Sequence, residues 1–146
     1  MILTARKTLA TILLRAMVLF LGACSVAESK KGAEQTADTL YHTLATGDME
    51  AVMDLYSDRF YQETSREEWQ TVLRSDHDRL GDYQTDELVN WNVWTGVSTE
   101  VTGTATTLVY HVQYSKYDAT EQLTFFGSSR PQLVGHHFNS KGLLLD

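Results

Sequence analysis

The side chains best suited to chemistry lie in the last third of this chain: Glu121, His136, Tyr110 and Tyr114. Tyr110, Val112 and Tyr114 alternate with Val109, His111 and Gln113, while Glu121, Leu123 and Phe125 recur at every second position, so each set belongs to one face of a β-strand. Leu133 to Ser140 reads as a last strand. A register that sets Val134 against Phe125 and Phe138 near Glu121 brings His136 beside Leu123, on the face that carries Glu121. A carboxylate on an apolar face must be paired or reach an open rim, because an isolated buried charge is very unfavourable. Glu121 is therefore expected to meet His136 or a tyrosine hydroxyl, or to lie at the rim. Together with Tyr41 of the opening segment, Tyr110, Tyr114, Glu121 and His136 make a candidate pocket able to bind or enolise a small molecule. The same residues also fit an amphipathic core with hydroxyls at its edge, and no catalytic residue is assigned.

Other chemistries lack their residues. The chain has no nucleotide-binding glycine loop, nucleophile elbow, His-Glu-x-x-His or Cys-x-x-Cys motif. His136 and His137 are strand neighbours that point to opposite faces and cannot share one metal ion. His77 between Asp76 and Asp78 reads as a solvated ion-pairing residue, and His42 and His111 lie off the apolar stripes. The runs around Glu67-Glu68, Asp76, Asp82 and Asp86-Glu87 follow no calcium-loop spacing. No metal and no cofactor is expected. Trp91 and Trp94, three apart, point to opposite faces of a strand, or one marks a bend; an exposed one would suggest a contact surface, and core packing is the preferred reading.

Three helices must hold these strands in place. Ala33, Ala37, Leu40, Tyr41 and Leu44 recur at helical spacing and Gly47 ends that run. Asp48 caps a second helix with Met49, Val52, Met53 and Tyr56 on its buried stripe. Ser65 and Glu68 form a capping box for a third, with Trp69, Val72, Leu73 and Leu80 on one face and Gly81 as its stop. The period then changes: Val89, Trp91 and Val93 start a strand, and a turn at Lys116 to Ala119 sets Tyr114 opposite Glu121, Val112 opposite Leu123 and Tyr110 opposite Phe125. Helices followed by a meandering antiparallel sheet predict an α+β domain with the helices on one face.

The amino-terminal residues give an address. Arg6, Lys7 and Arg15 precede Ala16 to Leu21, an apolar run too short for a bilayer, which needs about 20 residues. Leu21-Gly22-Ala23-Cys24 contains the only cysteine, which has no partner for a disulfide. This stretch resembles the lipobox of bacterial lipoproteins. The resemblance implies a signal peptide at residues 1–23, acylation (palmitate included) of Cys24, and attachment to membrane lipid in the cell envelope. Ser25 after the cysteine implies the periplasmic face of the outer membrane in a Gram-negative host. Cleavage would leave nine basic against nineteen acidic residues, a charge of about −10, which disfavours nucleic acid as a partner. Ser25 to Gly32 reads as a short polar linker, so that 24–32 tether a domain at 33–146.

Gly47-Asp48, Ser65 to Trp69 with Leu80-Gly81, Tyr110 to Tyr114 and Glu121 to Leu123, taken in order, resemble the cone-shaped nuclear-transport-factor-2-like, or cystatin-like, families. The likeness is to small bacterial lipoproteins of unknown function in that group. It implies three helices on a curved sheet, and either a non-catalytic domain that binds an envelope protein or small ligand, or an isomerase- or cyclase-like enzyme. A subunit of an envelope assembly, with homodimers through the open sheet face, is a further arrangement.

Overall fold

The computed structural model describes residues 25–97 and 102–144; the expected signal peptide and Cys24 lie outside them. The first helix, α1, occupies 25–46 and buries Ser29, Ala33, Ala37, Leu40 and Tyr41, a stripe of helical period. Residues 25–32 are thus helix, and the expected linker is corrected. The small residues that suggested a flexible tether are there because the helix packs closely. Ser29 is 1% exposed and its hydroxyl donates to the Ser25 carbonyl at 2.9 Å. A Cβ on Gly32 would come within 3.0 Å of the Ser128 carbonyl and 3.1 Å of the Pro131 ring.

Gly47, with φ of +75°, ends α1 in a conformation that glycine adopts without strain. Asp48 then accepts a hydrogen bond from the Ala51 N–H at 3.1 Å and caps the short α2, Met49–Met53. Tyr56, expected on this helix, falls beyond it. Leu55 to Ser57 instead run beside Leu133: the Leu133 N–H donates to the Leu55 carbonyl at 3.1 Å and the Ser57 N–H to the Leu133 carbonyl at 2.9 Å. Helix α3, Arg66–Leu80, opens with the Ser65–Glu68 capping box and stops at Gly81, φ +89°. Trp69, Leu73 and Leu80 are buried on it, whereas Val72 is exposed.

Four antiparallel strands follow in spatial order β1 (Tyr83–Val97), β2 (Thr102–Tyr114), β3 (Asp118–Phe126) and β4 (Gln132–Asn139), an open meander. The chain is α+β, with helices followed by a four-stranded sheet that does not close. One face of the sheet carries Leu108, Tyr110, Val112, Leu123, Phe125 and Leu133 into a core shared with α1, α2 and α3. Each such residue contributes about 1.5–3 kcal/mol by leaving water.

The register of β3 on β4 pairs Leu123 with His136 and Glu121 with Phe138, as expected, while a bulge places Leu133 rather than Val134 against Phe125. The β2–β3 register is corrected: Tyr110, not Tyr114, stands opposite Glu121, a slip of four residues. The expected turn residues Asp118 and Ala119 already belong to β3. The hairpin is pinned from outside, since the Ser115 N–H donates to the Asp82 carbonyl at 2.8 Å and the Lys116 N–H to the Leu80 carbonyl at 2.9 Å. An even slip leaves every side chain on its own face, so the apolar alternation cannot distinguish the two registers.

Candidate functional site

Glu121 lies in the middle of the core face with 0% exposure, enclosed by side chains from α1, β2 and β4. Alternation along β3 turns it inward between Ala119 and Leu123, and the buried stripe of α1 turns Tyr41 down onto it. The Tyr41 hydroxyl donates to Glu121 Oε2 at 3.2 Å, and Tyr114 donates to Oε1. His136 Nε2 lies 3.0 Å from Oε2, and the histidine side chain is likewise 0% exposed. On the far side of the ring the Tyr56 hydroxyl lies 2.7 Å from Nδ1.

The proton positions follow from these partners. In the neutral imidazole a carboxylate facing Nε2 requires an N–H there, which leaves Nδ1 as the acceptor for the Tyr56 O–H. Three donors therefore converge on the Glu121 carboxylate, and a fourth holds the tautomer of the histidine that supplies one of them. Burial raises the Tyr41 and Tyr114 hydroxyls well above their ordinary 10.0, and the neighbouring Glu121 charge raises them further. Both stay protonated donors at neutral pH. Burial likewise raises Tyr56, opposed by the Trp69 N–H beside it. That indole nitrogen and Thr106 Oγ1 are buried without a partner at hydrogen-bond geometry among the described residues.

Aromatic rings wall the network. Tyr41 stacks on Tyr83 at 5.5 Å between centroids and meets Tyr110 edge-on at 5.4 Å; His136 stacks on Phe138 at 4.1 Å. Of the five expected pocket residues, Tyr41, Tyr114, Glu121 and His136 join one hydrogen-bonded set. Tyr110 packs against Tyr41 by its ring and donates nothing to the carboxylate. Sequence reasoning placed Tyr56 on a helix and missed its role. Its pairing with Leu133 across the fold leaves no local sign, although an inward histidine with two ring nitrogens to satisfy does call for a second partner.

The interior between helices and sheet holds little room. The gap nearest the network, lined by Leu44, Asp76, Tyr83, Tyr114 and Phe138 among others, has about 30 Å³, close to the volume of one water molecule. A larger cleft of about 720 Å³ opens at the β4 edge between Arg59, Phe60, Trp69, Trp94, Phe126 and His137. That is the size of sites that enclose small molecules. Arg59 lies over the Phe126 ring there, 6.0 Å from its centroid. His136 lines the cleft and belongs to the network, so the back of the cleft is the wall of the sealed network.

Among the described residues, no group of three or more His, Cys, Asp or Glu side chains gathers as a metal site, and no helix is long and apolar enough to cross a membrane. The remaining histidines stand at the surface, His77 3.5 Å from Asp82 and His111 3.7 Å from Asp118. Trp91 and Trp94 are both exposed, which corrects the preferred reading of core packing. Comparison of the chain with protein-family profiles, with curated proteins and with solved structures finds no match.

Proposed function

We propose that this protein is a lipid-anchored envelope lipoprotein whose nuclear-transport-factor-2-like domain is non-catalytic and binds a partner protein or small ligand in the cleft at the β4 edge. The observation that carries this reading is the enclosure of Glu121. Both its oxygens are engaged by protein donors, and none of its surface meets solvent. A general base must come within hydrogen-bond reach of its substrate, and no surface of Glu121 is open to one. A carboxylate held this way instead stabilises the fold, in the manner of a fully paired polar network. The α+β order of elements and the lipobox-like Leu21 to Cys24 support the remaining parts of the reading.

A photo-crosslinking residue at Glu63 on the cleft rim, in the native envelope, is expected to yield one discrete adduct. The same probe at Gln113, away from the cleft, is expected to yield none. Only uncrosslinked monomer from both sites would contradict the binding role. Replacing Cys24 by alanine is expected to release the protein from the membrane fraction, and unchanged fractionation would contradict the anchor.

A further inference from the structure

The contacts of α1 fix its direction along the sheet. Tyr41 near its end stacks on Tyr83 at the start of β1, while Lys30 near its beginning reaches Trp91, with Nζ 5.3 Å from the ring centroid. The first turns of α1 and the later part of β1 therefore share one pole of the domain. The loop before β4 joins them there, since Gly32 packs against Ser128 and Pro131, and Gly32, Ser129 and Arg130 line one depression. The other pole holds the hairpin turn at Ser115 and Lys116, tied to the end of α3.

Both poles carry charge and exposed apolar surface, with Tyr117 and Leu144 open at the second. At the first, Lys30, Lys31 and Arg130 stand with Glu28 and Glu34, and Lys30 is paired to Glu34 at 2.6 Å. At the second, Asp78, Asp82 and Asp118 stand with Arg79, Lys116 and Lys141. In a chain of net charge −7 neither pole is acidic by this count, and the first carries one cation in excess. It also exposes 46% of Trp91 and 37% of Val26. An indole combines an apolar body with one polar N–H and is enriched at membrane interfaces. Cations beside it are drawn to lipid phosphates.

The chain outside the described residues joins at this pole, and α1 is already helical at Ser25, so Cys24 adjoins a rigid element rather than a tether. Lys30 lies five helical steps from Ser25, which is about 7.5 Å along a helix. A lipid surface holding Cys24 would consequently lie beside the Trp91 ring. We propose that the first turns of α1, Lys31 and Trp91 form a membrane seat, on which the acylated protein rests with the Trp91 indole in the lipid headgroup layer. This inference rests on the lipoprotein reading and adds the orientation of the domain.

The test uses the full acylated chain in phosphatidylcholine vesicles, plain or brominated near the headgroup end of the acyl chains, with tryptophan emission as the readout. The brominated lipid is expected to quench the emission, and Trp91→Phe to remove at least half of that quenching. A variant that keeps only Trp69, which is 8% exposed, is expected to show none. Protein that floats with the vesicles but emits equally in both lipids would overturn the seat while leaving the anchor intact, as would quenching that Trp91→Phe does not alter. Acylated protein that fails to float, or Cys24→Ala protein that floats as well as the parent, would overturn the lipoprotein reading and the seat with it.

Discussion

Glu121 and Trp91 sit on the same side of one sheet in opposite circumstances: the carboxylate has 0% of its surface in water, and the indole has 46%. Hydrophobicity alone would exchange them. Around Glu121 the fold supplies Tyr41, Tyr114 and His136, so a charged group is removed from water without losing its hydrogen bonds. Around Trp91 it supplies one lysine over the ring and leaves nearly half of the residue open. The comparison teaches that the polar residues most suggestive of catalysis are turned inward to hold the fold.

The comparison breaks most visibly at its buried side. Glu121→Ala orphans three donors in the core and is expected to cost about 3–5 kcal/mol of unfolding free energy, read by chemical denaturation. Glu121→Gln, which keeps the shape and an acceptor, is expected to cost less than half as much. Equal losses in the two variants would mean that the donors do not depend on the carboxylate.

Alkaline pH probes the same region through the donors. Tyr41, Tyr56 and Tyr114 are raised above their ordinary 10.0 in the fold, chiefly by burial. The stability this contributes is fully present below pH 10 and is lost as pH climbs through the raised values, because the unfolded chain releases those protons first. Each tyrosine is expected to steepen the fall by about 1.4 kcal/mol per pH unit. Phenolate absorbance should rise together with unfolding rather than before it.

A smaller effect comes from Asp76, which burial raises above its ordinary 3.8. The fold favours its protonated form, so its contribution is full below pH 3.8 and is lost as pH rises through the raised value. Asp76→Asn is therefore expected to gain stability over the parent as pH climbs from that point, and denaturation curves at matched pH values check the sign. The least effect is expected on the open side: Trp91→Phe should alter stability by no more than about 0.5 kcal/mol, as exposed positions do.

Local signals made much of this architecture legible. The Ser65–Glu68 box, the stops at Gly47 and Gly81, and the β3–β4 pairing of Leu123 with His136 all follow from short-range pattern. So did the pairing demand on Glu121, because inward alternation on β3 left it no solvent unless it reached the rim. What stayed hidden depends on distant contacts. The β2–β3 register is decided by the backbone bonds of Ser115 and Lys116 to the end of α3. Tyr56 meets His136 only because Leu55 to Ser57 lie along β4. Residues 25–32 look polar in sequence, yet Ser29 and Gly32 gain close neighbours once the helix is laid on the sheet.

The sealed character of the network is tested most directly by nitrogen-15 NMR of the His136 ring at neutral pH with hydrogen-exchange timing. The account expects the proton on Nε2, exchanging with solvent far more slowly than the ring protons of exposed His42 and His137. A proton on Nδ1, or an Nε2 proton that exchanges as fast as theirs, would contradict it.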